Sequence, residues 1–191
     1  GSFGPAEGEE TCTLCAKGKY SSTSGLTACL DCTPGYLCVQ GTSAPQPCPG
    51  GTHANQTVLA VVGYLGSLDE CITCPAGTSC SVGTAEPSPC LPGSFGPAEG
   101  EETCTLCAKG KYSSTSGLTA CLDCTPGYLC VQGTSAPQPC PGGTHANQTV
   151  LAVVGYLGSL DECITCPAGT SCSVGTAEPS PCLPGSFGPA E

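Results

Sequence analysis

Tryptophan, methionine and arginine are missing from the 191 residues, and aromatic residues make up only 5% of them. A chain so poor in large apolar side chains does not build one sizeable hydrophobic core. Cations are scarce too. Lys and Arg together number 4 against 15 Asp and Glu, for a formal net charge of −11. That balance provides no cationic footprint for nucleic acid, and anionic membrane surfaces would repel it. The longest apolar run, Val58 to Leu65, is too short to span a bilayer. No starting Met and no leader-like segment are present, so the sequence reads as a mature piece or an excerpt.

Abundance lies elsewhere. The chain has 20 Cys, 28 Gly and 19 Pro. Cysteine above a tenth of the residues points to a disulfide scaffold from an oxidising, extracellular or cell-surface setting. Gly and Pro at about a quarter of the chain point to turns and irregular backbone. The expected fold class is therefore small and disulfide-rich: an elongated tandem array of cysteine-rich modules with short β-hairpins and little other regular structure.

Internal repetition organises the chain. Residues 1–92 recur without a change as 93–184, and 185–191 begin a third copy. The expected domains are repeat 1 (1–92), repeat 2 (93–184) and the start of a third (185–191). The array then reads as a window on a longer one. Within each repeat Cys29-x2-Cys32-x5-Cys38-x9-Cys48 is matched by Cys71-x2-Cys74-x5-Cys80-x9-Cys90. Cys15-x13-Cys29 is matched by Cys90-x13-Cys104 across the boundary. The smaller unit is a cysteine module of roughly 40–50 residues, tiled end to end.

Cys15, Cys32, Cys48, Cys74 and Cys90 each open Cys-x2-Gly and alternate along the chain with Cys12, Cys29, Cys38, Cys71 and Cys80. A Gly three residues on suits a tight turn with positive φ that returns the chain toward its starting cysteine. The simplest pairing is a ladder that joins each opening cysteine to the next one. It gives Cys15–Cys29, Cys32–Cys38, Cys48–Cys71, Cys74–Cys80 and Cys90–Cys104. The second copy follows with Cys107–Cys121, Cys124–Cys130, Cys140–Cys163 and Cys166–Cys172. Cys12 and Cys182 are left to continue into neighbouring repeats. The main rival is interleaved, with Cys29–Cys38, Cys32–Cys48, Cys71–Cys80 and Cys74–Cys90. It leaves Cys12 and Cys15 only each other, a strained bridge. Connectivity is not deducible from spacing alone. A zinc site on Cys12, Cys15, Cys29 and Cys32 is a minor reading that strands Cys38 and Cys48. A redox-active CxxC is weaker still, since no thioredoxin-like βαβ pattern surrounds one.

Regular structure should be sparse. Lys19 to Thr27 and Thr57 to Leu65 are the best short-strand candidates. A helix over Leu59 to Leu65 is the alternative for the second, weakened by Gly63 and Gly66. The Pro-rich pieces SAPQPCP and EPSPCLP should be extended or turned.

The segment CAKGKYSSTSGLTACLDCTPGYLC closely resembles the ephrin-receptor-like cysteine-rich repeat, and GYLGSLDECITCPAGTSCSVGTAEPSPCLPGSF resembles a second copy. Its first loop is also similar to that of tumour necrosis factor receptor cysteine-rich domains. Two departures occur: His53 stands where an aromatic is usual, and Ala54 to Leu65 is an insertion. The resemblance implies an extracellular, disulfide-laddered rod without catalysis of its own. Such repeats occur in protist surface proteins, flagellar hairs (mastigonemes) among them, and in animal receptor ectodomains. The expected function is a structural repeat segment of an extracellular glycoprotein filament or surface rod. The alternative is the stalk or ligand-binding module of a cell-surface receptor.

Asn55-Gln56-Thr57 and Asn147-Gln148-Thr149 are N-glycosylation sequons and hold the only Asn residues. N-linked glycans are therefore expected on Asn55 and Asn147. O-linked glycans could use the Ser/Thr/Pro stretches Thr42 to Pro45 and Glu86 to Pro89. The acidic groups Glu7, Glu9, Glu10 and Asp69, Glu70 lack a calcium-loop pattern and read as solvated. His53 and His145 read as loop residues. Tyr20, Tyr36, Tyr64 and Phe3, about one per module, should pack over disulfides. No catalytic residue, metal or cofactor is expected, and no G-x-S-x-G elbow occurs. The expected partner is the same chain, through self-association or further identical repeats.

Overall fold

A computed structural model describes residues 1–186. Two compact units emerge, one holding Gly1–Pro89 with Ala98–Cys104, the other Cys90–Pro97 with the chain from Thr105 on. Sequence repeat and folded unit therefore do not share boundaries. The reason lies in backbone pairing. The amide of Gly100 donates to the Cys74 carbonyl and that of Cys80 to the Glu101 carbonyl, which keeps 98–104 in the first unit. The amides of Gly93 and Gly96 donate to Ser113 and Leu118, which keeps 90–97 in the second. Of the third-copy stretch 185–191, residues from 187 on lie outside the described residues.

Small antiparallel hairpins make up the fold, ten two-stranded sheets among the described residues and five in each unit. In the first unit they are β1 (Ser2–Phe3) with β2 (Thr13–Leu14), β3 (Lys19–Tyr20) with β4 (Leu30–Asp31), and β5 (Tyr36–Leu37) with β6 (Gln46–Pro47). Then come β7 (Thr52–Ala54) with β8 (Cys71–Thr73), and β9 (Thr78–Ser79) with β10 (Ser88–Pro89). The second unit repeats this pattern. The true period is thus one hairpin. Hairpins open at Cys15, Cys32, Cys48, Cys74 and Cys90, so the module is about half the expected size or less. Isolated two-stranded ribbons are marginal in water, so each needs its bridge and its neighbours.

Each opening turn has the same chemistry. The amide of Tyr36 donates to Thr33 O across Pro34-Gly35, and that of Thr52 to Pro49 O across Gly50-Gly51. Gly35 and Gly51 have φ of 88° and 79°. That is the demand of a type II turn, which needs positive φ at its third residue. Cys38 and Cys80 also begin Cys-x2-Gly, through Gly41 and Gly83 with φ of 76° each. The motif therefore marks turns generally and does not by itself separate opening cysteines from their partners.

Neighbouring hairpins are sewn together by these glycines. Gly41 donates to Cys15 O, Gly83 to Cys48 O and Gly100 to Cys74 O, each at 2.8 Å. The spacing is tight enough to exclude a side chain. A Cβ on Gly35 would lie 2.2 Å from Gly83 O, and one on Gly51 2.3 Å from Gly100 O.

The stretch Thr57 to Leu65 is not a strand. It forms α1, Gln56–Val62, capped by Asn55 and ended by Gly63 at φ 82°. A good N-cap and a left-handed Gly C-cap outweigh the β-branched composition. Likewise only Lys19 and Tyr20 of the stretch Lys19 to Thr27 are extended into a strand. A 3-10 turn at Leu68–Glu70 follows α1 and carries a capping box, with Glu70 Oε2 accepting from the amides of Gly66 and Ser67. These two elements fill the loop between β7 and β8. Beside them lies the apolar core of the unit: Leu37, Cys48, Ala54 and Leu65 buried, with Val58 and Leu59 of α1 and Cys71 of β8 against them.

We expect Gly35→Ala to destabilise the first unit by ~2 kcal/mol or more. It imposes a left-handed conformation on a residue with a Cβ and breaks the contact with Gly83. Hydrogen exchange of the Cys48 and Gly83 amides should register the loss locally.

Candidate functional site

The candidate site is the repeated cysteine rung and the capping asparagine beside it. Eight bridges are described: Cys15–Cys29, Cys32–Cys38, Cys48–Cys71, Cys74–Cys80, Cys107–Cys121, Cys124–Cys130, Cys140–Cys163 and Cys166–Cys172. Their Cα–Cα distances run from 5.6 to 6.3 Å, within the ordinary range. Cys90 and Cys104 are disulfide-bonded as well. Cys12 is free and exposed, and Cys182 is free and half-buried. The interleaved pairing is not adopted. Nor is a four-thiolate set at Cys12, Cys15, Cys29 and Cys32, because Cys15 and Cys29 bond each other and Cys32 bonds Cys38. Among the described residues no group of three or more His, Cys, Asp or Glu could hold a metal ion.

Strand register explains why bridges close loops of different length. Ala54 and Cys71 are direct cross-strand partners. Extending the register of the other hairpins by one residue sets Ser21 opposite Cys29, Cys38 opposite Pro45, and Cys80 opposite Pro87. Each pair flanks the opening cysteine of its own hairpin. One member is a cysteine that bonds it; the other is Ser, Ala or Pro. A partner on the first strand closes a separation of 6, and one on the second strand closes 14 or 23. In the chain-entropy picture each bridge is worth about 2–3.5 kcal/mol. Sequence spacing displayed the cysteines but not this rung, because the opposing small residues carry no signature of their own.

The remaining singled-out residues fall as follows. Asn55 and Asn147 are the N-caps of equivalent helices, one in each unit. His53 and His145 are not loop residues. They lie in strands, 6% exposed, with Nδ1 2.9 Å from the next carbonyl, of Ala54 and Ala146. Their neighbours Ala54 and Ala146 are buried too, so both faces of this short strand are covered at that point. Tyr64 and Tyr36 lie against turn glycines, Tyr64 over Gly18 and Tyr36 beside Gly83. Glu70 is a capping residue, while Glu7, Glu9 and Glu10 are exposed. Lys19 and Asp31 form an exposed ion pair across β3 and β4, worth at most about 1 kcal/mol. No helix among the described residues is long and apolar enough to cross a membrane.

No protein-family model matches the chain, and no curated protein matches it in sequence.

The rung predicts that a bridge can change strands. In the double variant Ala54→Cys, Cys71→Ala, we expect Cys48 to bond the cysteine introduced on β7. Stability should fall by about 1 kcal/mol, because the closed loop shrinks. Peptide mapping without reduction, together with thermal melting, checks both points.

Proposed function

We propose that this chain is a structural repeat segment of an extracellular filament or surface rod, akin to the ephrin-receptor-like repeats of flagellar hairs. The observation that carries this reading is the uniformity of the hairpins. In each described bridge the opening cysteine is bonded to one strand of its own hairpin, while turn glycines pass backbone hydrogen bonds from hairpin to hairpin. Architectures of this kind gain stability from nearest neighbours and lengthen by adding units. Nothing distinguishes one 92-residue copy from the other, so neither is specialised for a ligand. The density of bridges fits an oxidising, extracellular compartment.

Continuation is built into the free cysteines. Cys12 occupies the repeat position of Cys104, and Cys182 that of Cys90. In an array of identical repeats each would be bonded by the neighbouring copy. The partner is therefore more of the same chain. Catalysis, cofactors and nucleic acid have no part in this reading, and its work is extension and mechanical integrity.

Cryo-electron microscopy of the native extracellular material tests it. We expect filaments whose axial repeat is set by one 92-residue unit, with Cys12 and Cys182 bonded. Discrete particles, or a short stalk topped by a different domain, would replace this reading with a receptor stalk.

A further inference from the structure

We propose that Asn55 and Asn147 carry N-linked oligosaccharides on Nδ2 while their Oδ1 atoms continue to cap α1 and its counterpart, so that the fold holds each attachment point in one orientation. The proposal rests on the extracellular reading above, and it divides the labour of a single amide between its two ends.

Oδ1 of Asn55 accepts from the amides of Thr57 at 3.0 Å and Val58 at 3.4 Å. The same two distances recur at Asn147, to Thr149 and Val150. The other end of the amide is open. Among the described residues nothing engages Nδ2, and no buried side-chain nitrogen or oxygen lacks a partner. An unengaged Nδ2 on a half-buried residue must therefore reach solvent. Thr57 and Thr149, the hydroxyl residues that complete the sequons, are exposed.

Attachment leaves the cap intact because of how the bond forms. Nδ2 bonds the anomeric carbon of an oligosaccharide whose bond to a lipid diphosphate breaks. One amide proton leaves, the second N–H remains, and the Oδ1 lone pairs are untouched. The backbone behind the site is firmly held. The Asn55 amide donates to Glu70 O at 2.9 Å, and Gln56 Nε2 donates to Ala85 O at 2.7 Å. The attachment point also lies inside the loop closed by Cys48–Cys71. A sugar there projects from a fixed base rather than from a free loop, once in every 92 residues.

Mass spectrometry of the secreted full chain tests this, read together with its thiol state. The two sequon peptides are identical in sequence, so the intact mass counts the glycans. We expect two per chain and no unmodified peptide. Thr57→Ala with Thr149→Ala should remove both glycans and leave the disulfide map and the helix signal unchanged, because the cap stays. Asn55→Asp with Asn147→Asp should do the same, since the carboxylate still caps. Asn55→Ala with Asn147→Ala should lose the glycans and also the protection of the Thr57 and Val58 amides from exchange. Unmodified Asn in a chain whose bridges are all formed would overturn the glycan proposal and leave the extracellular reading standing. Unmodified Asn with free thiols throughout would overturn both.

Discussion

Much of this molecule hangs on the cysteines that open its hairpins, because in Cys15, Cys48 and Cys74 three groups are committed at once. Cys48 donates its amide to Gly35 O, accepts at its carbonyl from Gly83, and bonds Cys71 through sulfur. Cys15 and Cys74 do the same with Gly1, Gly41 and Cys29, and with Gly51, Gly100 and Cys80. The sulfur ties the opening turn to one strand of its hairpin; the two peptide groups fix its place against its neighbours. A ribbon of two-residue strands has almost no apolar surface to bury, so these directional bonds stand in for a core. The fold can afford almost no large side chains for the same reason.

Each unit has a conventional core, in the first around Leu37, Leu65 and α1 and in the second around Leu129 and Leu157, and it lies where the loop is longest. A longer loop costs more entropy to close, though the cost grows slowly with length. Here that cost is offset by burying Leu65 fully and by capping both ends of the inserted helix. The insertion is therefore a folded element with its own stabilisation. It also carries the asparagine of each repeat, which caps the helix.

Much of this was legible in the sequence. Cysteine density, the 92-residue identity and the Cys-x2-Gly turns are direct consequences of composition and spacing, and they lead to a disulfide-rich tandem array of hairpins. The finer period was harder to see, because Ser21, Ala54 and Pro45 stand where a neighbouring hairpin has cysteine. A rung with one cysteine and one small residue looks, in sequence, like irregular spacing. The helix was obscured by its valines, which favour strands when caps are ignored; Asn55 and Gly63 decided otherwise. The burial of His53 beside the equally buried Ala54 breaks strand alternation, so no period-two reading reveals it.

The alternation of bridge partners between strands has a mechanical consequence. Where the partner is on the second strand, as in Cys48–Cys71, the intervening chain is a closed covalent ring. Where it is on the first, as in Cys32–Cys38, the loop from Val39 to Pro47 lies outside any described ring. In a ring the disulfide runs in parallel with the backbone, while an open stretch is a single covalent strand. A nick within a ring leaves the strand tethered; a nick in an open stretch parts it. Each repeat thus alternates doubly and singly connected links, much as a chain does.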